Sequence, residues 1–250
     1  MKKIVLLLLL VIPTFSAFAQ QAVYLIPTLH TLHQTNQRYN YDSLRAIVAR
    51  IKPDIIAIEL RNEDLSEDSG YLKQHYPYEM WKMKDWFPDT ELKGFDWFGN
   101  EISGKRIPDN YWRDQPVKRM EKLLSIDTTM KNKVANCQLY AQQRQSILQS
   151  GSLKDIYNSP DAILTRTYDD CLAGQLQNTD YAILAQYRYK RTKAMQQQVD
   201  CIIKQHPGKR IVVLVGDDYY PYILESLNKS GTTALQPQQK SNPSNNKKPI

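Results

Sequence analysis

A strand–helix–strand pattern near the start of this 250-residue chain strongly limits the folds it can adopt. Residues 21–28 form an apolar, β-rich run, residues 41–52 carry apolar side chains at three- and four-residue spacing, and residues 54–60 form a second apolar run. Two strands joined by one such helix run parallel to each other. Because both runs are almost continuously apolar, we expect a sheet covered on both faces.

Later segments extend this pattern. Residues 92–98 predict a short third strand, and residues 210–215 (RIVVLV) predict the clearest strand of the chain. Helices are predicted over residues 78–86, 115–150, 161–172, 180–204 and 220–228. We therefore expect an α/β fold with a central, mostly parallel sheet flanked by helices, and a helical insertion between its third and last strands.

Both ends of the chain differ in composition from the part that is expected to fold. Residues 1–19 combine two lysines, an apolar run and an Ala-Phe-Ala cleavage site, which predicts a signal peptide cleaved after Ala19 and a periplasmic or secreted location. The apolar run is too short to span a bilayer, so no stable membrane insertion is expected. Residues 231–250 are polar and predict a disordered tail, which leaves residues 20–230 as a single domain.

The formal net charge of +7 belongs mainly to the two ends. Two lysines lie in the predicted signal peptide and three in the predicted tail, which leaves +2 for residues 20–230. A nucleic-acid-binding domain needs a basic face of its own, so we expect no nucleic-acid partner. The sequence indicates no oligomeric state.

Three cysteines, Cys137, Cys171 and Cys201, lie in segments predicted to be helical. An oxidising compartment would allow one disulfide among them and leave one free thiol. A buried free thiol is the commoner fate of a cysteine in a helix, so both alternatives stay open. Their spacing does not favour a structural zinc site.

Polar side chains follow each predicted strand. In chain order they are His30 and His33, then Glu59 and Arg61, then Asp96, and finally Asp217, Asp218 and Tyr219. In a parallel sheet the carboxyl ends of the strands lie on one edge, where open α/β sheets bind their ligands. We therefore expect these side chains to form one site.

Single residues of this set have alternative interpretations. Glu59 lies in an apolar run, where a carboxylate is costly unless it is paired, so a salt bridge with Arg61 or Arg191 is the alternative to a role in the site. His30 and His33 could share one metal ion if their loop turns helically. The sequence has no G-x-S-x-G, P-loop or G-x-G-x-x-G motif, which argues against a serine hydrolase and a nucleotide-binding site.

The order of several short motifs resembles the TraB/TIKI (GumN-like) superfamily, to which erythromycin esterases and a group of haem-binding lipoproteins are more distantly related. Residues 27–30 (PTLH) match the family's G-T-x-H, and residues 53–59 (PDIIAIE) match its strand with a glutamate. Residues 191–195 resemble its Arg-x-x-x-Met helix, and residues 215–219 (VGDDY) resemble its V-G-x-x-H strand end. The chain departs from the family by proline at the first glycine and tyrosine at the second histidine.

This resemblance implies a hydrolase, either dependent on a divalent metal or metal-free. His30 would be a general base or metal ligand, and Glu59 would orient it or bind the metal. Arg191 would bind an anionic or carbonyl group of a small-molecule or peptide substrate. Tyr219 replaces the second histidine of the family and could donate a hydrogen bond to an oxyanion.

The remaining assignments combine this resemblance with the expected positions of the residues at the strand ends. A metal site would combine His30 and Glu59 with His33 and Asp217 as further ligands. Asp217 or Asp218 would stabilise charge, and Arg61, Asp96 and Asp218 would contact the substrate. The alternative is a non-catalytic protein that binds a small ligand or haem on the same scaffold. The lost second histidine favours binding, whereas the pairing of His30 with Glu59 favours the enzyme.

Overall fold

The computed structural model describes residues 21–237 and confirms the α/β fold class. Within this range, five strands form one all-parallel sheet in the order β3-β2-β4-β1-β5. They are β1 (Ala22–Thr28), β2 (Ile55–Ile58), β3 (Glu91–Gly94), β4 (Arg210–Gly216) and β5 (Ala234–Leu235). The third strand is shorter than the sequence predicts, and the central position of β4 next to β1 and β2 agrees with its strongly apolar sequence.

The helices flank the sheet and fill the predicted insertion between β3 and β4. They are α1 (Tyr41–Ile51), α2 (Ser69–His75), α3 (Tyr78–Trp86), α4 (Tyr111–Asp114), α5 (Pro116–Ile126), α6 (Thr128–Lys133), α7 (Ala135–Ser150), α8 (Leu153–Asn158), α9 (Asp161–Leu176), α10 (Ala182–Gln205) and α11 (Tyr220–Lys229). The single helix predicted over residues 115–150 is divided into α5, α6 and α7. Asp127 causes the first break, because its carboxylate caps α6 by accepting a hydrogen bond from the Met130 amide at 3.0 Å.

Apolar side chains of β4 cover both faces of the sheet. Val212 and Leu214 pack with the helices α1 to α3, whereas Ile211, Val213 and Val215 pack with α10 and α11. This alternation is the geometry of a strand buried on two sides. The prediction of a sheet covered on both faces is thus confirmed.

The capping of α1 directs the chain from β1 back to β2. The Asn40 side chain accepts a hydrogen bond from the Ser43 amide at 2.9 Å, which starts the helix. At the other end, Lys52 adopts a left-handed conformation with φ of 52° and Pro53 follows. These two features define the ends of the helix that connects the parallel strands β1 and β2.

The cysteines and the chain end complete the description of the fold. A disulfide between Cys137 and Cys171 joins α7 to α9, and Cys201 is a free, exposed thiol. Strand β5 pairs with β1 at residues 234–235, which lie at the start of the segment predicted to be a tail. The predicted signal peptide and residues 238–250 of the tail lie outside the described residues. Across residues 21–237, no helix has the length and apolar character needed to cross a membrane.

Candidate functional site

Four strand ends meet at one edge of the sheet, as the sequence predicts. Thr28 at the end of β1 lies beside Gly216 at the end of β4, and Ile58 at the end of β2 lies beside Gly94 at the end of β3. The Asp217 amide donates a hydrogen bond to the Thr28 carbonyl oxygen at 2.9 Å, which ties the loop after β4 to β1. The polar side chains that follow these strands therefore lie near one another.

His30 occupies the centre of this edge. It begins a short 3-10 helix (His30–Gln34) with φ of 50°, and the Tyr41 hydroxyl donates a hydrogen bond to its carbonyl oxygen at 2.9 Å. Its Nδ1 lies 2.8 Å from Oε1 of Glu79, a completely buried residue in α3. This contact fixes the ring and leaves Nε2 directed at the edge of the sheet.

The charge of this pair follows from its surroundings. Burial acts to lower the pKa of His30, but the hydrogen bond and charge of Glu79 outweigh it and raise the pKa to about 9. Burial likewise acts to raise the pKa of Glu79, and the contact with His30 lowers it. At neutral pH these shifts favour an imidazolium paired with a carboxylate, a state in which His30 can donate a proton. Its role as a general base or metal ligand stays a prediction.

Glu59 is the second carboxylate near His30, and it is almost completely buried. Its Oε1 accepts a hydrogen bond from Arg191 Nη2 at 2.9 Å, and its Oε2 accepts one from the Gly216 amide at 2.6 Å. Burial raises the pKa of Glu59 against the opposing charge of Arg191. The salt-bridge interpretation is thus correct for Arg191 and wrong for Arg61.

Gly216 shows how closely His30 and Glu59 converge. A Cβ at this position would lie 2.6 Å from His30 Nε2 and 3.1 Å from Glu59 Oε2. Both atoms therefore face the same point beside the end of β4, and the absence of a side chain there makes their approach geometrically allowed.

Replacement of Gly216 by alanine is expected to lower the free energy of unfolding by about 1–3 kcal/mol, because the new methyl group overlaps the His30 ring. The matched control is Gly174→Ala, at an exposed helical position where a Cβ meets no atom within 4 Å. Urea denaturation should show a loss for the first variant and a small gain for the second. Equal effects of the two substitutions would contradict the close approach.

Arg191 connects the ends of three strands. Its Nε and Nη2 donate to the two oxygens of Asp96 at 2.8 Å each, Nη2 also donates to Glu59, and Nη1 donates to the Tyr219 hydroxyl at 3.2 Å. The structure thus brings together four of the predicted site residues. All three guanidinium nitrogens bind side chains of the protein. Arg191 and Asp96 therefore cross-link the site. The groups that were predicted to contact a substrate are already bound to other side chains.

The carboxylates after β4 are held by Arg144, a buried residue of α7. Arg144 donates from Nη2 to Asp217 at 2.5 Å, from Nη1 to Asp218 at 2.6 Å and from Nε to Asp161 at 3.0 Å. Burial, together with the charge of Asp218, raises the pKa of Asp217 to about 7 despite Arg144. Asp218 is half exposed and belongs to the same ion network, which leaves its predicted role toward substrate as a prediction.

Arg61 is not part of the site, and its predicted contact with substrate is wrong. It is 2% exposed, and its Nε and Nη2 bind both oxygens of Asp64 at 2.7 and 2.8 Å. Its Nη1 donates to the Ile102 carbonyl oxygen at 2.9 Å. The Arg61 side chain therefore binds the loops that contain Asp64 and Ile102 and not the residues of the site.

His33 is also unavailable, which corrects its assignment as a metal ligand. Its Nε2 accepts a hydrogen bond from the Leu29 amide at 2.9 Å, and its Nδ1 donates to the Tyr39 carbonyl oxygen at 2.6 Å. Burial lowers the pKa of His33, so the ring is neutral and both nitrogens are occupied by the backbone. Within residues 21–237, no group of three or more His, Cys, Asp or Glu side chains is arranged to hold a metal ion.

Sequence reasoning missed Glu79 and Arg144. A signal existed for Glu79, because it is an acidic residue in a predicted helix whose neighbours Met80, Trp81 and Met83 are apolar. No comparable signal marks Arg144, which lies in a Gln-rich segment that resembles an exposed helix face.

A cleft of about 630 Å³ opens beside the site, between α5, α9 and α10. Arg191 and Tyr219 form part of its wall, whereas His30, Glu59 and Glu79 do not. The cleft thus borders the site at Arg191 and Tyr219 and is not lined by His30.

Comparison with known proteins adds no relative: no protein-family model, curated protein or solved structure matches this chain. The resemblance to the TraB/TIKI superfamily therefore rests on the short motifs, and the site is interpreted from its own geometry.

Proposed function

We propose that this protein is a hydrolase of the TraB/TIKI type that uses His30 for acid–base chemistry. The contact between His30 Nδ1 and Glu79 carries this proposal, because it orients the ring and leaves Nε2 beside Glu59 at the edge of the sheet. A histidine held by a buried carboxylate through one nitrogen is the usual arrangement for proton transfer at the other.

The proposed reaction divides the proton transfers between two groups. Asp217, whose pKa is about 7, takes a proton from the attacking water, since Arg144 holds its Oδ2 and leaves Oδ1. The water oxygen bonds to the carbonyl carbon of the substrate, and the bond to the leaving group breaks. His30 Nε2 supplies the proton to the leaving oxygen or nitrogen, which suits its protonated state at neutral pH.

Two of the predicted metal ligands already bind other groups of the protein, which supports the metal-free form of this hydrolysis. His33 binds the backbone through both nitrogens, and Asp217 is paired with Arg144.

The substrate class is a small molecule or peptide with a hydrolysable carbonyl group. A periplasmic or secreted location is proposed with it, and the disulfide between Cys137 and Cys171 supports this location because disulfides persist in oxidising compartments.

The direct test is hydrolysis of 4-nitrophenyl acetate and 4-nitrophenyl butyrate by the purified protein, with and without EDTA. We expect turnover that EDTA does not remove and that His30→Ala abolishes. The control His206→Ala, far along the chain at the end of α10, should retain it. Thermal unfolding of each variant separates loss of chemistry from loss of folding. Turnover that EDTA removes, or that persists in His30→Ala, would contradict the proposal.

Ligand binding without catalysis is the second candidate function, and the position of the cleft favours it. The cleft beside the site is lined by Arg191 and Tyr219 but not by His30. A small ligand or haem held there would need no proton transfer. Titration with haemin, followed by its Soret absorbance, tests the haem form of this alternative.

A further inference from the structure

Helix α5 has two faces of different character. On its inner face, Val117 is buried and Leu124 packs against the apolar cluster that contains Met130. An α-helix turns by about 100° per residue, so residues three, four and seven positions apart share a face. Four exposed residues form the face opposite to Val117 and Leu124, which we call the outer face of α5. They are Arg119, Lys122, Leu123 and Ile126.

Two residues of the outer face are aliphatic and strongly exposed. Ile126 is 69% exposed and Leu123 is 45% exposed. They are three positions apart on the helix, so their side chains are neighbours on the surface. One exposed aliphatic side chain is ordinary on a protein surface, but an adjacent pair opposite a face that already packs on the protein gives the helix a second apolar surface.

Cations surround this aliphatic pair. Arg119 and Lys122 lie on the same face, and α6, which begins two residues after Ile126, adds the exposed Lys131 and Lys133. Within residues 21–237, the three lysines of this group form no ion pair. Their charges are therefore available to an external partner.

The acids of this segment do not neutralise its cations. Residues 116–133 contain five cations and two acids, a net charge of +3, whereas the whole of residues 20–230 carries +2. Glu121 accepts a hydrogen bond from Lys118 Nζ at 2.7 Å. Asp127 accepts from the Met130 amide at 3.0 Å and from the Tyr181 hydroxyl at 2.9 Å. The positive charge of the domain is thus concentrated at α5 and α6.

Protruding aliphatic side chains among cations complement an anionic lipid bilayer. The aliphatic groups can reach the boundary of the acyl chains while the cations stay among the headgroups. A stable protein interface buries about 800 Å² on each partner, and two aliphatic side chains supply little of that area. A soluble polyanion would compensate the cations but leave Leu123 and Ile126 in water. The combination of both features therefore favours a lipid surface.

We propose that the outer face of α5, together with Lys131 and Lys133 of α6, binds the surface of membranes that contain anionic lipids. Leu123 and Ile126 insert among the headgroups, and the cations contact the lipid phosphates. The proposal does not depend on the proposed hydrolysis, because neither His30 nor Asp217 belongs to this face.

Sedimentation with lipid vesicles tests the proposal on the protein that starts at Gln20, without the predicted signal peptide. We expect binding to vesicles of phosphatidylcholine mixed with phosphatidylglycerol, and much weaker binding to phosphatidylcholine alone. NaCl at about 1 M shortens the Debye length to about 3 Å and should remove most of the binding. Absence of binding to the mixed vesicles, or equal binding to both kinds, would overturn the proposal.

Matched substitutions locate the binding surface. Ile126→Ser should weaken binding to the mixed vesicles about fivefold or more, while Ile163→Ser, at an equally exposed isoleucine of α9, should leave it unchanged. Lys122→Gln should weaken it about fivefold, and the exposed Lys154→Gln of α8 by less than about twofold. Thermal unfolding should show that all four variants fold, because each substitution is at an exposed position.

The same variants distinguish the lipid surface from other binding sites and partners. Unchanged binding in Ile126→Ser, or an equal loss in Ile126→Ser and Ile163→Ser, would show that another part of the chain binds the vesicles. Binding to poly-L-glutamate without binding to the mixed vesicles would assign an acidic protein to this face. Each of these results would overturn the proposal.

Discussion

Replacing Arg191 with methionine is expected to lower the free energy of unfolding by about 3–5 kcal/mol, the usual cost of removing one partner from a buried ion pair. Asp96 and Glu59 are 8% and 5% exposed, and both depend on this guanidinium for charge compensation. Methionine fills a similar volume but leaves two carboxylates close together with no cation between them. The Tyr219 hydroxyl also loses its donor.

Urea denaturation at several pH values measures this effect and identifies its cause. Burial already raises the pKa of Glu59 while Arg191 opposes it, so without Arg191 the carboxyl should take up a proton more readily. The loss in stability should therefore become smaller as the pH is lowered. The control Lys190→Met removes an exposed cation from the preceding position of α10 and should change stability by less than about 0.5 kcal/mol. A similar small loss for Arg191→Met would show that the network is not buried as described.

The sheet and its functional edge follow from short-range features of the sequence. The runs over residues 22–28 and 210–216 are apolar on consecutive positions and are bounded by polar residues, which predicts buried parallel strands. Once the strands are parallel, their carboxyl ends must share an edge. The convergence of His30, Glu59 and Asp217 was therefore predictable without any knowledge of side-chain contacts.

The partners of these residues depend on contacts that the sequence does not encode locally. Glu79 reaches His30 from α3, 49 residues further along the chain, and Arg144 reaches Asp217 from α7, 73 residues before it. Contacts between residues so far apart in the chain depend on how the helices pack over the edge of the sheet. Because composition and periodicity describe one element at a time, they cannot assign a cation in one helix to a carboxylate in a distant loop.

Two incorrect assignments have a different physical cause, the direction of one side chain. The 3-10 turn after β1 carries His33 inward, where the Leu29 amide and the Tyr39 carbonyl oxygen bind it. Arg61 likewise follows Glu59 by two residues but is turned to Asp64. A position near a strand end predicts that a residue lies close to the edge of the sheet. The local turn then decides whether its side chain faces the site.

Glu79→Gln is expected to lower the pKa of His30 from about 9 to near or below its ordinary value of 6.5. Burial of the ring opposes its charge, and the contact with Glu79 is the largest effect that outweighs it; the weaker influence of Glu59 and Asp217 remains in the variant. NMR titration of the imidazole nitrogens measures the change directly. Glu121→Gln, at an exposed position in α5, is the control and should leave the titration of His30 as in the wild type.

The same substitution separates the role of the ion pair in folding from its role in chemistry. Because the folded pKa of His30 lies above 6.5, its contribution to stability is complete below that pH and is lost as the pH rises to about 9. The contribution of Glu79, whose pKa is lowered, is present above 4.5 and is lost on acidification. The stability difference between Glu79→Gln and the wild type should therefore be greatest between pH 4.5 and pH 6.5, and smaller at lower and at higher pH. If hydrolysis requires protonated His30, the alkaline limit of activity should shift from near pH 9 to lower pH in the variant. An unchanged pH profile would show that Glu79 has no part in the mechanism.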